Sequence, residues 1–122
     1  MVDVVTVSID ETKNIYYLSP NSFSLNLNDR VIFETDNGLF SGRVIKANYV
    51  ENENNLVLPL NKVIRLCEDS DVDILKKNSI ISEKAFKDAK KLSNELGLDM
   101  NFIDSFLNFD GTQLMLSFLA DN

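Results

Sequence analysis

The 122-residue sequence contains no histidine and only one cysteine, Cys67. Histidine is the side chain that most often serves as a general base and as a metal ligand near neutral pH. One thiol forms no internal disulfide, and it falls short of the three or four soft ligands that a zinc site or an iron–sulfur cluster requires. We therefore predict that the chain has no catalytic residue, holds no metal or cofactor, and works in the reducing cytoplasm.

Positive charge is also scarce, because 12 Lys and Arg residues stand against 19 Asp and Glu residues, a net charge of −7. Residues 67–122 carry most of the excess acid. An acidic chain repels a phosphate backbone, so we expect direct nucleic-acid binding to be weak or absent. No apolar run is long enough to span a membrane, and the first residues lack the basic and apolar segments of a signal peptide.

The longest pattern that is present is helical and covers residues 68–98. This run is rich in Lys, Glu, Ala and Leu and closes at Gly97, a residue that readily adopts the left-handed conformation found at helix ends. Ser70 is the predicted N-cap, because its hydroxyl can accept an N–H of the first turn. Apolar residues recur every three or four positions and predict one buried face. That face comprises Val72, Ile74, Leu75, Ile81, Ala85, Phe86, Ala89, Leu92 and Leu96, with Ser79 as a weak position.

The residues before the helix read as short strands. Apolar and β-branched residues predict strands at 2–9, 15–18, 31–35, 39–50 and 63–66. The dipeptide Asn37-Gly38 predicts a tight hairpin turn, because both positions tolerate positive φ. Gly42 is expected at a bulge or a sharp bend. Pro59 lacks a backbone N–H, so residues 56–60 are predicted to form an edge strand or a crossing loop.

The residues after the helix predict a second hairpin. The turn-forming pair Asp110-Gly111 separates two apolar segments, at 100–109 and 112–119. The whole chain is therefore predicted to be an α+β protein with two units. These are a small, bent β-barrel over residues 1–67 and a long helix packed on a β-hairpin over residues 68–122.

Three groups of side chains are candidates for chemistry, and a simpler interpretation is preferred for each. Cys67 follows an apolar strand and reads as a buried, inert thiol. Four carboxylates near turns would suit a cation if they converged, but solvated turn residues are the better account. They are Asp99, Asp104, Asp110 and Asp121. Five basic residues would suit a phosphate backbone, but interleaved acids favour ion-paired surface. They are Arg30, Arg43, Lys46, Lys62 and Arg65.

The last predicted strand is apolar on both faces, because neighbouring side chains in a strand point in opposite directions. One face can pack on the helix, which leaves apolar side chains or an open strand edge for another chain. We predict that Leu114, Leu116 and Phe118 mark a surface for a protein partner or for self-association into a homo-oligomer.

The order of these segments resembles that of the bacterial YaaT (RicT) family, whose members carry the polymerase-suppressor (PSP) C-terminal homology domain. The similar residues lie at 13–17 and 28–35, at Gly38 and at 42–44, and most clearly in Leu56-Val57-Leu58-Pro59-Leu60 with the continuation to Arg65. After the helix they are Gly97-Leu98-Asp99-Met100, Ile103-Asp104, Phe109-Asp110-Gly111 and Phe118-Leu119-Ala120-Asp121.

The resemblance implies a cytoplasmic regulator rather than an enzyme. Members of this family work with two small helical partners, YlbF and YmcA, on the endoribonuclease RNase Y, and so influence mRNA processing, sporulation, competence and biofilm formation. They carry iron–sulfur clusters through cysteines that are absent from this sequence, and Cys67 matches none of them. The favoured interpretation is a protein-interaction module of a regulatory complex, and the alternative is an RNA-contacting β-barrel module.

Overall fold

The computed structural model describes residues 1–98 and 100–120, and over these residues it confirms the predicted α+β class. The strands before the helix are β1 (Val2–Ile9), β2 (Asn14–Leu18), β3 (Arg30–Thr35), β4 (Gly38–Glu51) and β5 (Val63–Leu66). The helix α1 (Asp69–Glu95) follows, and then β6 (Met100–Leu107) and β7 (Leu114–Ala120). A three-residue 3-10 turn, Glu53–Asn55, lies in the polar loop after β4.

The first five strands form an antiparallel sheet in the order β2-β1-β4-β3-β5. The predicted hairpin joins β3 to β4 and is confirmed, but Gly38 pairs with Thr35, so the turn residues are Asp36 and Asn37. Of the predicted pair Asn37-Gly38, Gly38 alone has positive φ. The predicted barrel is not supported, since the described residues form no closed barrel. The edge strands β2 and β5 are short and meet only at an isolated bridge between Ser19 and Lys62. The barrel was predicted from the number of strands and the tight turns, and these features do not show whether the two edge strands of a sheet pair with each other.

The core of this sheet is apolar and continues into the second half of the chain. Its buried members are Val5, Val7, Ile9, Leu18, Leu25, Val31, Phe33, Phe40, Val44 and Val63. The ring of Phe33 stacks on that of Phe40 with 6.0 Å between centroids, and Phe40 stacks on Phe106 of β6 at 6.2 Å.

The predicted boundary between the two units of the chain, after residue 67, falls between β5 and α1. The division of the chain into two units stays a prediction.

Gly42 is required for close packing rather than for a bulge. It pairs regularly with Val31, and the register irregularities of β4 lie further along, where the strand pairs with β1. A Cβ at position 42 would collide with Val7 Cγ1 and crowd the ring of Phe33. The bulge that was predicted at Gly42 therefore lies elsewhere in β4. The sequence alone does not show whether a glycine in a strand serves a bulge or the close approach of other side chains.

Residues 56–60 form a crossing loop rather than an edge strand. No residue of this stretch lies in a strand, and the Leu58–Pro59 peptide bond is cis. Val57 is 90% exposed, although the run is apolar. Of the two predicted alternatives, the structure therefore selects the loop.

The helix α1 begins at Asp69, one residue before the predicted cap. Ser70 lies inside the first turn, and Glu68 occupies the N-cap position. The carboxylate of Asp71 accepts the backbone N–H of Glu68 at 2.8 Å and also binds the guanidinium of Arg65. The Ser70 cap is thus wrong, because the ion pair with β5 places Asp71 to satisfy the end of the helix.

The buried face of α1 is mostly polar, which differs from the predicted apolar face. Asp71, Asn78, Ser82 and Ser93 are buried, and only Leu75, Ala85, Phe86 and Ala89 of the predicted face are half-buried. The other apolar positions that the pattern assigned to this face are exposed; they are Val72, Ile74, Ile81, Leu92 and Leu96. Hydrogen bonds decide this orientation. Asn78 Nδ2 donates to the backbone oxygens of Asn108 and Phe109, both at 3.0 Å.

The second sheet is the antiparallel hairpin β6–β7, with Asp110-Gly111 in its turn as predicted. Gly111 has the positive φ of 72° that this turn requires. The pairing shifts between Phe102 and Asp104, which makes Ile103 an extra residue in β6. The helix α1 packs on β6, with the Phe86 and Phe102 rings edge to face at 6.5 Å.

Candidate functional site

The predicted partner residues lie on one face of β7. Phe118 stands opposite Phe102 of β6, with ring centroids 5.8 Å apart, and strand alternation places Leu116 and Leu114 on the same side. Leu114 is 45% and Phe118 is 47% exposed, while Leu116 is half-buried. On the opposite face, Met115 packs against the core of the first sheet. The structure thus brings the three predicted residues together on a partly open surface.

The helix covers β6 and leaves this face of β7 beside it. One flank of α1, at Ser79 and Glu83, lines a cavity with Ile103 and Asp104 of β6. From this we infer that the opposite flank of α1 is turned towards β7, the strand that pairs with β6. Positions spaced by seven, four and seven residues share one stripe of a helix. On this flank they are Ile74, Ile81, Ala85 and Leu92.

These seven residues define a surface that we name the apolar groove: Ile74, Ile81, Ala85 and Leu92 of α1 with Leu114, Leu116 and Phe118 of β7. Leu92 is 56% exposed, and the helix side of the groove is as open as the strand side. None of the seven side chains carries charge, although the chain has a net charge of −7. The groove can therefore bury apolar area against another polypeptide, and it offers no nucleophile or proton-transfer group.

Cys67 is half-buried rather than fully buried. Its Sγ lies 3.7 Å from Ser41 Oγ, between β5 and the helix. Burial raises the pKa of the Cys67 thiol, which keeps it protonated at neutral pH. This agrees with the inert thiol that the sequence predicted.

The two described members of the four candidate carboxylates, Asp104 and Asp110, form no cation site with other described residues. Asp99 and Asp121 lie outside the described residues, and Asp104 is exposed on β6. Asp110 accepts hydrogen bonds from Leu39 N–H at 3.1 Å and from Thr112 Oγ1 at 2.7 Å. Burial raises the pKa of Asp110, but these hydrogen bonds outweigh it and hold that pKa below its usual value. Across residues 1–98 and 100–120, no three Cys, Asp or Glu side chains gather as metal ligands would.

The three arginines among the five candidate basic residues are ion-paired. Arg30 and Arg43 both contact the carboxylate of Asp10, at 3.4 and 3.3 Å, and Arg65 binds Asp71. Of the remaining two basic residues, Lys46 lies over the ring of Tyr49 at 4.0 Å, and Lys62 is exposed. The ion-paired interpretation is confirmed for the arginines, since each shares its charge with an acid.

One exposed apolar surface was not predicted. Ile15, Tyr17, Val57 and Leu58 line a groove of about 520 Å³ beside the crossing loop, and we name these four residues the loop patch. Pro59 could have indicated this surface, because a Pro in an apolar run argues against a buried central strand. The sequence predicts a strand at 15–18 and an edge strand or a crossing loop at 56–60, and neither prediction says which of their side chains are exposed.

Comparison with known proteins places this groove inside a shared region. The PSP1 C-terminal conserved region matches residues 61–122, which include β5, α1, β6 and β7. Over 121 residues the chain is 37% identical to the stage 0 sporulation protein YaaT of Bacillus subtilis strain 168. The chain belongs to the YaaT family. The alignment covers 99% of this chain and 44% of that relative, so this chain spans less than half the length of the YaaT protein that it matches.

No solved structure matches this YaaT-family chain. Within the part of the chain that the structure describes, no helix is both long and apolar enough to cross a membrane. The family assignment agrees with the resemblance that the sequence itself indicated, and all seven residues of the apolar groove fall within the matched PSP1 region.

Proposed function

We propose that this YaaT-family chain is a cytoplasmic, non-enzymatic subunit of a regulatory complex and that it binds other proteins through the apolar groove. The observation that carries the proposal is the groove itself. Six of its residues are large apolar side chains left partly open to solvent, at the junction of a helix and a strand edge. Apolar surface gains roughly 25 cal/mol per Å² when it is buried, so such a surface favours association with another polypeptide.

The resemblance to the YaaT family names the partners that we propose. They are YlbF-like and YmcA-like helical proteins, which together with this chain act on RNase Y and thereby on mRNA processing. Sporulation, competence and biofilm formation are the processes that such a complex would regulate. The groove is suited to a helical partner, because an amphipathic helix lays its apolar residues into an apolar groove of this kind.

The test is a binding measurement with purified YlbF-like and YmcA-like proteins. We expect Phe118→Glu to weaken binding about 30-fold, because the substitution places a carboxylate in an apolar contact worth about 2 kcal/mol. Val57→Glu, in the loop patch, is the matched control and is expected to leave the affinity unchanged. Circular dichroism would verify that both variants fold. Equal binding by Phe118→Glu and the unaltered chain would refute the groove as the partner site.

Direct RNA binding is expected to be weak, since the net charge of −7 and the ion-paired arginines leave little counterion release to gain. The measurement is fluorescence anisotropy with a generic single-stranded RNA at two salt concentrations. Tight binding that falls steeply with salt would instead favour the RNA-contacting alternative.

A further inference from the structure

We propose that a second copy of this chain can occupy the apolar groove, with the two β7 strands pairing edge to edge in antiparallel orientation. This proposal rests on the proposed function, because it assigns a partner to the same groove. It makes the isolated chain a two-fold symmetric dimer with a four-stranded central sheet and both α1 helices on one face.

The edge of β7 has the features of a pairing strand. It pairs with β6 on one side, and its seven residues, Leu114–Ala120, include no charged residue and no Pro. Charges, prolines and bulges are the devices that protect exposed strand edges. The sister strand β6 carries two of them, the extra residue Ile103 and the charge of Asp104. Of the two edges of this hairpin, β7 is therefore the one suited to pairing.

A two-fold axis at Ser117 lets all seven residues of β7 pair. Antiparallel pairing about this residue sets Leu116 opposite Phe118 of the second copy and Leu114 opposite Ala120. Paired residues share a face in an antiparallel ladder, so the groove residues of both copies lie on one side of the new sheet. Leu114, Leu116 and Phe118 of the two copies thus form one continuous apolar strip across the two-fold axis.

The helices then stand on either side of this apolar strip. Each α1 covers its own β6, and three strand spacings separate the two β6 strands, or about 14 Å. Helices in direct contact are 8–10 Å apart, so the side chains of Leu116, Phe118 and Ile81 from both copies fill the space between them. Five of the six large side chains of the groove are 39–56% exposed and Leu116 is half-buried, so together they supply on the order of 500 Å² of apolar area per copy. A stable interface buries about 800 Å² per partner, and the paired strands supply the remainder.

The charges beside the groove are self-complementary. Lys77, Lys84, Asp88 and Glu95 are exposed and repeat the seven-four-seven spacing of the groove residues, one stripe further round α1. The bases lie in the first part of this stripe and the acids in the second part. Because a two-fold axis makes the helices antiparallel, the bases of one copy approach the acids of the other. The two lysines and two acids sum to zero charge. The surface beside the groove therefore does not add to the repulsion between two chains that each carry a net charge of −7.

Charge reversal on the full 122-residue chain tests this arrangement by sedimentation equilibrium. We expect the unaltered chain to dimerise, and Lys77→Glu with Lys84→Glu to raise the dimer Kd at least 10-fold. Asp88→Lys with Glu95→Lys is expected to do the same. The chain with all four reversals is expected to return to within about threefold of the original Kd, because reversal on both sides restores complementarity. A monomeric unaltered chain at about 200 μM, or a fourfold variant that stays monomeric while folded, would overturn the proposal.

Disulfide trapping tests the strand register. In a Cys67→Ser background, Ser117→Cys is expected to form a covalent dimer under mild oxidation, because residue 117 of each copy meets at the axis. Asn101→Cys, at another exposed position but on β6, is the matched control and is expected to stay monomeric. Cross-linking at residue 101 but not at residue 117 contradicts pairing through β7.

Partner binding is measured separately, so the two proposals fail in different ways. A monomer that binds YlbF-like and YmcA-like proteins through Phe118 overturns the second-copy proposal and leaves the proposed function standing. A dimer that binds neither protein supports the second-copy proposal and overturns the proposed function.

Discussion

Replacement of Asp71 by alanine is expected to lower the free energy of unfolding by about 3 kcal/mol at pH 7. The Asp71 side chain is 3% exposed, and its carboxylate binds the Arg65 guanidinium, with one of the two contacts at 2.8 Å. It also accepts the backbone N–H of Glu68 at 2.8 Å. Alanine removes the ion pair that joins β5 to α1 and the cap at the start of the helix. Urea denaturation followed by circular dichroism measures the loss.

The loss is expected to depend on pH in a defined direction. Hydrogen bonds from Arg65 and then from the Glu68 backbone lower the pKa of Asp71 from 3.8 to about 2. A carboxylate whose pKa is lower in the folded state stabilises the fold above the unfolded pKa, near 4, and this contribution disappears as the pH falls towards 2. The gap in stability between the unaltered chain and Asp71→Asn should therefore be full above pH 5 and should shrink between pH 4 and pH 2.

Asp73→Ala is the matched control for both measurements. Asp73 is an exposed acid near the start of the same helix, and its removal is expected to cost less than about 1 kcal/mol. If Asp71→Ala costs no more than Asp73→Ala at pH 7, the ion pair does not stabilise the junction of β5 and α1.

Replacement of Asn108 by alanine is expected to cost about 3 kcal/mol. Asn108 is fully buried at the end of β6. Its Nδ2 donates to Asp110 Oδ1 at 2.9 Å and to Thr112 Oγ1 at 3.1 Å, and its Oδ1 accepts the backbone N–H of Gln113 at 2.9 Å. Alanine would remove all three hydrogen bonds of the Asn108 side chain inside the hairpin turn and leave a cavity in place of a fully buried side chain, and both changes are costly.

Thermal and urea denaturation would measure this effect, with Asn101→Ala as the control. Asn101 is exposed on the same strand, so its truncation is expected to change stability by no more than about 0.5 kcal/mol. A loss of similar size for both variants would show that the network around Asn108 is not what orders the hairpin.

The sequence predicted elements well because their signals are local. The Lys- and Glu-rich run ending at Gly97 located the long helix, and Asn37-Gly38 and Asp110-Gly111 located both hairpins. The apolar character of β7 also pointed to Leu114, Leu116 and Phe118, which the structure places together on one partly open face. Whether they bind a partner stays a prediction.

What the sequence did not predict depends on contacts between distant residues. The spacing of apolar residues in α1 shows which of them share a stripe, but not whether the chain itself supplies a partner for that stripe. Asn78 faces inward because the backbone oxygens of Asn108 and Phe109 accept its side-chain N–H groups, and the nearby Ser105 hydroxyl donates to the backbone oxygen of Ser82. The predicted barrel is not supported for the same reason. The residue patterns that predict strands are local, whereas pairing between β2 and β5 depends on residues that are far apart in the sequence.

The polar contact between α1 and its hairpin also makes the groove geometrically rigid. Apolar side chains slide past one another at little cost, whereas hydrogen bonds need specific partners. Asn78 Nδ2 donates to the backbone oxygens of Asn108 and Phe109, and Ser105 Oγ donates to the backbone oxygen of Ser82, so these bonds favour one register of α1 along the hairpin. A slip of a single residue would break these hydrogen bonds, so the position of α1 over β6 is set before anything binds. A ligand of the groove therefore meets a preorganised surface and loses less conformational entropy on association than it would against a helix free to shift.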